Sequence, residues 1–427
     1  MTNKVTIIAI DRAEAEIGRA SKKLANELEI EIKAYTLVNH SFRNTPAYKG
    51  DETKGYFEEV LCDFNDTEEL IKILDEIAHG TKVVLHCRME EAIKDYQKVI
   101  PLIPNAIVQT VESLTLSTEK YRMREAMTEK YPEICPKYVH LESYNDFSET
   151  MIANFTFPVI VKPNGLHSSF FVKKCNNLDE VHNALRNAFA GLQEVYAREY
   201  GTGTPSLLVE EFINGKMYSI DAYTRDLGKI WLLPPVKVTI AAELGLDGYY
   251  GYQYDLPSDL SDNDIADANE CTRKAIDALG LMSSVAHVEL YKTQNGWKII
   301  EVAPRIGGYR QELYMEAYGI DHYYNDLLLH LGKDPEVTPK WHKHASGLTI
   351  YADLEGTITA INGVDEAKKL ESVVSVGVDT AVGRRAIFAS NGGQLLAIII
   401  MSNLNKEILH SEITQVRNLI QFEIESN

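Results

Sequence analysis

The sequence predicts an α/β protein: a small open parallel sheet at the N-terminus, then mixed α+β structure. Two observations carry this. Short apolar strand runs alternate with helical stretches through the N-terminal part. Farther on, HVELYKTQNGWKIIEVAPRIGGYR (287–310) reads as two strands around a tight turn, followed at once by a glycine pair with flanking arginines. At 427 residues the chain is long enough for roughly two to four domains with substantial cores.

In order, residues 5–10 predict a strand, 14–28 a helix, 32–38 a second strand, 66–79 a helix and 82–87 a third strand. A dinucleotide loop would need GxGxxG after the first strand, where the sequence is AIDRAEAEIGRA, and no GxxxxGK[ST] occurs anywhere. Ser117 or Thr118 is placed to cap a helix running to Lys130, which Pro132 and Pro136 end. A strand at 137–140, a helix at 144–154, the strand FPVIVK (157–162), the loop PNGLHSS, a strand at 170–174 and a helix over 178–200 follow. SLLVEEFINGKMYSIDAYT reads as two strands around Asn214-Gly215. Residues 231–256, rich in tyrosine and glycine, predict an irregular pocket wall, and 263–279 a helix. After the hairpin come a helix at 321–331 and a linker at 332–339. The C-terminal part has strands at 347–352 and 395–401 and a closing helix at 405–419. There is no internal repeat.

Charge and cysteine content exclude several functions. The net charge of -19, from 43 Lys+Arg against 62 Asp+Glu, argues against nucleic-acid or anionic-membrane partners. The five cysteines form no CxxC pair, which fits a reducing, cytoplasmic compartment and implies no zinc site. No signal-peptide core and no apolar run of membrane-spanning length is present.

The hairpin is where the chemistry concentrates. Val288, Leu290, Ile300 and Val302 alternate with His287, Glu289, Glu301 and Ala303. An Asn295-Gly296 two-residue loop would set Glu289 opposite Val302. A three-residue loop, Gln294-Asn295-Gly296 with Gly296 left-handed, sets Glu289 opposite Glu301 and keeps the apolar residues on one face. The alternation selects the three-residue loop. Two carboxylates side by side repel unless a cation lies between them, and oxygen ligands of this kind suit Mg2+.

Singly, the other candidates have ordinary structural explanations. Lys162 ends a strand, Glu210 and Glu211 end another, and Lys120 lies on a helix face. Their order is more specific. The segments STEKYRMR, FPVIVKPNGLHSS, LLVEEFINGKMYSID, and HVEL with IIEVAPRIGG resemble those of the ATP-grasp superfamily, in particular carboxylate–amine ligases such as the bacterial L-amino acid (dipeptide) ligases. The resemblance implies a pre-ATP-grasp α/β domain (1–112), a helical linker with the first grasp subdomain (113–205) and a second grasp subdomain carrying the metal and substrate site (206–335). A small strand-rich domain like that of biotin carboxylase would complete the chain (336–427).

The resemblance also implies roles. Lys120 and Lys162 would contact ATP, and the 164–169 loop with His167, Ser168 and Ser169 would cover its phosphates. Glu210, Glu211 and Phe212 would form the adenine hinge, largely through backbone groups. Glu289 and Glu301 would hold Mg2+, with Mn2+ as a substitute, and Arg305 with the Gly307-Gly308 backbone would face the reacting carboxylate. Lys237, Tyr249, Tyr250, His287 and Arg310 are the residues expected around the acid and amine. A homodimer is implied by the resemblance alone. The implied activity is amide or peptide-bond formation through an acyl phosphate. A grasp-fold enzyme using bicarbonate or a larger acid, and a non-catalytic nucleotide-binding protein, are the alternatives. The sequence departs from the family's pattern at Ala303, where an asparagine often completes the metal site, and at Met217, where a glutamate often binds the ribose. It also departs in a phosphate loop with the single glycine Gly165 and the bulky pair Phe170-Phe171.

Overall fold

Four parallel strands, β1 (Lys4–Ile10), β2 (Glu31–Asn39), β3 (Glu58–Cys62) and β4 (Lys82–His86), form the N-terminal sheet in the order β3-β2-β1-β4. The computed structural model describes residues 4–44, 48, 50, 52–166, 171–198, 203–226, 228–246, 248, 250–388 and 395–426. The apolar run of β1 is buried on both faces, as a parallel sheet covered on both sides requires. Ile7 and Ala9 pack toward the helices Ala15–Leu28 and His322–His330, and Ile8 and Ile10 toward Leu37, Leu70 and Leu74. The sequence pattern missed β3, whose EEVLC is short and half charged.

Two corrections concern helices. Ser117 and Thr118 do not cap the helix that ends at Lys130 but close a preceding helix, Val111–Thr118, whose own cap is Thr110, its side chain accepting from Ser113 N. The chain then breaks at Glu119, which is extended, and a second helix runs Lys120–Lys130. The helix expected at 144–154 is instead two 3-10 turns, Tyr144–Asp146 and Glu149–Ile152. A capping box of Ser143 with Asp146 closes the first, and the extended Ser148 separates them.

The strands β5 (Tyr138–Leu141), β6 (Val159–Pro163), β7 (Lys173–Cys175) and β8 (Leu207–Glu211) form a small antiparallel sheet in the order β5-β8-β6-β7. The helix Leu178–Arg198 covers it, and the two share a core of their own that includes Val159, Leu185, Leu192 and Val209.

The chain then crosses to a larger sheet. Its first strands are β9 (Lys216–Asp226), β10 (Lys229–Leu232), β11 (Val236–Ile240), β12 (Gly251–Leu256), β13 (Ser284–Thr293) and β14 (Gly296–Ala303). Residues 231–232, 236–240 and 251–256 of the expected irregular wall are strand, with Val236, Val238 and Ile240 alternating into the core. β15 (His344–Tyr351), β17 (Val373–Val378) and β19 (Leu395–Asn403) extend the same sheet, in the order β14-β13-β9-β11-β12-β15-β19-β17 with β10 beside β9. β16 (Gly356–Asn362), β18 (Arg385–Ala386) and β20 (Gln421–Glu425) form a separate small sheet. The closing helix is Lys406–Leu419, capped by Asn405, and residues 333–343 form neither helix nor strand.

The N-terminal part is fastened to the helix His322–His330 by buried charge. Asp326 lies 2.7 Å from His86 Nδ1 and 3.2 Å from His330 Nε2, and His330 Nδ1 lies 2.5 Å from the Ile107 carbonyl. Arg88 Nε lies 3.0 Å from Glu14 and donates to the Tyr323 hydroxyl at 2.6 Å. All five cysteines are free, four of them buried and Cys87 half-buried. Burial pushes the Cys62 and Cys271 thiols up to about 12 and Cys175 up to about 11. No helix among the described residues is long and apolar enough to cross a membrane.

Candidate active site

Glu289 does face Glu301, but not for the reason the sequence suggested. The loop holds two residues, Gln294 and Asn295, and Thr293 pairs with Gly296, whose φ is +96. From that turn the register would carry Trp297 and Ile299 into the core and Glu301 after them. A β-bulge intervenes: Leu290 pairs with Ile299, yet Glu289 pairs with Glu301, so Ile300 is the extra residue. Ile300 and Glu301 both line the cleft, while Val302 returns to the core. Ile300 therefore does not share the core face with Val288, Leu290 and Val302.

The cleft floor is a small grid on three strands. Ser219, Glu289 and Glu301 stand in one row across β9, β13 and β14, and Asp221, His287 and Ala303 in the next. His287 Nδ1 lies 2.6 Å from Asp221, and its Nε2 lies 3.5 Å from Glu289. Burial opposes charge on His287, yet Asp221 and Glu289 hold its pKa above the usual value. The same balance works on Glu289: against burial, His287, Arg310 and Arg305 keep its carboxyl below the ordinary range. Behind His287, burial pushes His322 down to about 4 despite the Asp221 charge, so this imidazole is neutral at pH 7.

Above this floor the cleft has a cavity volume of about 310 Å3 and is walled by the small sheet. Lys120 Nζ donates to the Leu166 carbonyl at 2.8 Å and lies 3.2 Å from Glu301. Glu301 and Glu90 keep its pKa raised although burial works against it. Lys162 Nζ lies 2.7 Å from Glu210, which also receives Arg124 Nε at 2.9 Å. One buried carboxylate thus faces two cations. Burial, with Arg124 as a second cation, pushes Lys162 down to about 8 despite the attraction of Glu210. At the other end, Arg305 Nη2 lies 2.6 Å from Glu90 of the N-terminal domain.

Residues 155–312 match the ATP-grasp domain, and residues 348–425 match the L-amino acid ligase C-terminal domain 2. The chain carries an ATP-grasp domain. Its fold is similar to that of an L-amino acid ligase from Bacillus licheniformis, with a TM-score of 0.77 at 17% identity over 100% of both chains. It is also similar to the biotin carboxylase domain dimer of Hydrogenobacter thermophilus 2-oxoglutarate carboxylase, described with MgADP, ADP and bicarbonate, with a TM-score of 0.68 at 14% identity over 98% of this chain and 90% of that one. Among curated proteins, the uncharacterized protein y4rH of Sinorhizobium fredii is 22% identical over 256 residues, 58% of this chain and 50% of that protein. The match therefore spans about half the length of that relative.

Within the ATP-grasp cleft the structure brings together Lys120, Lys162, Glu210, Glu211, Phe212, Tyr250, His287, Glu289, Glu301 and Arg305. The hinge backbone is partly engaged within the protein, since Glu211 N donates to the Lys137 carbonyl and Phe212 N to that of Pro158. Other expected residues stand elsewhere. Lys237 pairs with Tyr218, on the sheet face away from the cleft, and its ammonium lies 2.7 Å from Asp259. Arg310 does not line the cleft but is buried beside the floor row on the same face of the sheet, donating to Ser219 Oγ at 2.9 Å and to the Gly308 carbonyl at 2.9 Å. Gly307 donates its N–H to Asp221 at 3.2 Å instead of into the cleft, and a Cβ there would stand 2.4 Å from His287 Nδ1. His167, Ser168, Ser169 and Tyr249 lie outside the described residues.

Sequence reasoning missed Arg124, Glu90 and Asp221. Arg124 had a signal, being four residues after Lys120 on one helix. Glu90 had another, since it follows the carboxyl end of a parallel strand, where open α/β sheets place their crevices.

The carboxylate pair suits a magnesium ion in one respect. Glu289 and Glu301 present hard oxygen donors side by side, and each already faces a cationic or N–H group, His287 and Lys120. No set of three or more His, Cys, Asp or Glu able to hold a metal exists among the described residues. The protein would therefore supply two ligands and leave the others to phosphate oxygens and water, as magnesium accepts.

Proposed function

We propose that the chain is an ATP-dependent ligase that joins the carboxylate of one amino acid to the amine of another, releasing ADP and phosphate. The observation that carries the reading is the convergence, in one cleft, of two lysines, two facing carboxylates and Arg305. The C-terminal domain match supports amino acids as substrates.

In the first step a carboxylate oxygen of the acid attacks the γ-phosphorus of ATP as the bond to the ADP oxygen breaks, giving an acyl phosphate. The amine nitrogen then attacks the acyl carbon, the carbon–oxygen bond to phosphate breaks, and the nitrogen loses a proton. Phosphoryl transfer asks mainly for positioning and charge neutralisation. Lys120 and Lys162 supply cations to the phosphates, and the Phe212 hinge with Ile213, Met217 and Tyr291 forms an apolar slot for the adenosine. Mg2+ held by Glu289 and Glu301 would neutralise charge on the phosphate oxygens. Arg305, freed from Glu90, would meet the substrate carboxylate and then the negative charge of the tetrahedral carbon.

Phosphate release measured with pooled amino acids as acids and amines tests the reading. Release above the ATP-alone background, with a peptide product by mass, is expected. A background rate with every pair overturns it, and release with bicarbonate alone would move the chain to a carboxylating chemistry.

A further inference from the structure

Arg124 has no solvent exposure, and its guanidinium reaches two different sheets. Nε and Nη2 fork onto the Glu210 carboxylate of β8 at 2.9 and 3.4 Å, and Nη2 also donates to the Ile300 carbonyl of β14 at 2.7 Å. Ile300 is the extra residue of the bulge, so its backbone stands outside the regular ladder with β13. We propose that Arg124 is a positioning residue, clamping the bulge so that Glu301 faces Glu289 and tying that carboxylate pair to Lys162 through Glu210.

Four features support the clamp. The bulge is what turns Glu301 away from the core, because the phase set by Trp297 and Ile299 runs the other way. A planar fork spreads its donors over a carboxylate on one sheet and a carbonyl on another, whereas a lysine gathers its three donors on one nitrogen and cannot reproduce that spread. A buried ion pair is also a poor way to fill space beside Met123 and Met127, where apolar side chains would pack as well. The helix that carries Arg124 also carries Lys120, whose ammonium lies on Glu301. One helix face thereby reaches Glu301 by two routes, from its side chain and from its backbone.

The inference rests on the reading of Glu289 and Glu301 as metal carboxylates, and the test separates the two. Arg124→Lys, Arg124→Gln and Glu210→Gln are compared with the natural protein by far-UV circular dichroism, by amide hydrogen exchange over 299–302 without ligand, and by calorimetric ADP binding at graded Mg2+. Arg124→Lys is expected to speed exchange in that segment and to raise the Mg2+ concentration for half-maximal ADP binding by about tenfold or more, the scale seen when groups supporting a metal ligand are lost. Arg124→Gln puts its one amide nitrogen near the position of Nε, opposite Glu210, and leaves the Ile300 carbonyl without its donor, so it should show both effects as well. Glu210→Gln leaves the bond to Ile300 in place and should weaken ADP binding with a smaller change in Mg2+ dependence. Natural exchange and natural Mg2+ dependence in a folded Arg124→Lys or Arg124→Gln protein overturn the clamp. If ADP binding to the natural protein does not depend on Mg2+, the metal reading fails, and the exchange rates alone decide whether Arg124 holds the bulge.

Discussion

Lys162 shares the Glu210 carboxylate with Arg124, and burial, with Arg124 as a second cation, pushes its pKa down to about 8 despite Glu210. An amine binds phosphates only when protonated. Raising the pH through about 8 therefore removes a cation from the cleft, and nucleotide affinity falls on the alkaline side. The KM for ATP should rise above that pH, and Lys162→Arg, which stays charged, should lose this dependence. For Glu301, replacement by glutamine keeps the shape and removes the charge; ATP-dependent phosphate release should fall at least ~100-fold with circular dichroism unchanged, since even groups supporting a ligand cost that much. Lys120, Lys162, Glu289 and Glu301 were legible because each sits in a short segment whose order along the chain is distinctive. Arg124 was not, because its partners lie 86 and 176 residues away, and no local pattern marks a buried arginine.

For the hairpin, counting residues between apolar positions gave the right facing of the two glutamates and the wrong turn. A three-residue loop and a two-residue loop plus one bulge shift the register by the same single residue, so periodicity alone does not separate them. The helix Arg310–Tyr318 was missed for a related reason: its buried face consists of Arg310, Leu313, Tyr314 and Ala317, so a charged residue hides the apolar period. The turn before that helix is tightly packed. In Gly307→Ala the new Cβ would stand 2.4 Å from His287 Nδ1 and 2.7 Å from Arg310 Cγ, and the protein should lose ~1–3 kcal/mol in urea unfolding, the usual cost of overpacking.

Across the whole molecule, the parallel N-terminal sheet and the succession of segments could be read from periodicity, whereas the continuation of the large sheet into β15, β19 and β17 could not. Strand partners so distant in sequence leave no trace in alternation. The N-terminal domain shares a core with the helix His322–His330 and meets it through Asp326, His86 and His330, whereas the small sheet keeps a core of its own. Against the cost of burial, His330 and His86 hold the Asp326 carboxyl below its ordinary 3.8, so its contribution is present above that pH and is lost as pH falls through the lowered value. Asp326 holds His330 above its ordinary 6.5 despite burial, so that contribution is present below 6.5 and is lost as pH rises through the raised value. Asp326→Asn should therefore cost most between pH 3.8 and 6.5, by roughly 3 kcal/mol in urea unfolding. The burial of the cysteines has a practical side. Because the thiols of Cys62, Cys175 and Cys271 are held protonated and enclosed, with Cys87 and Cys135 also pushed up by burial, the native chain is close to silent toward maleimides. A pair of cysteines added at exposed sites, one on the small sheet and one on the large, would then take up dyes without any native residue being replaced, and the distance between the sheets becomes an optical quantity.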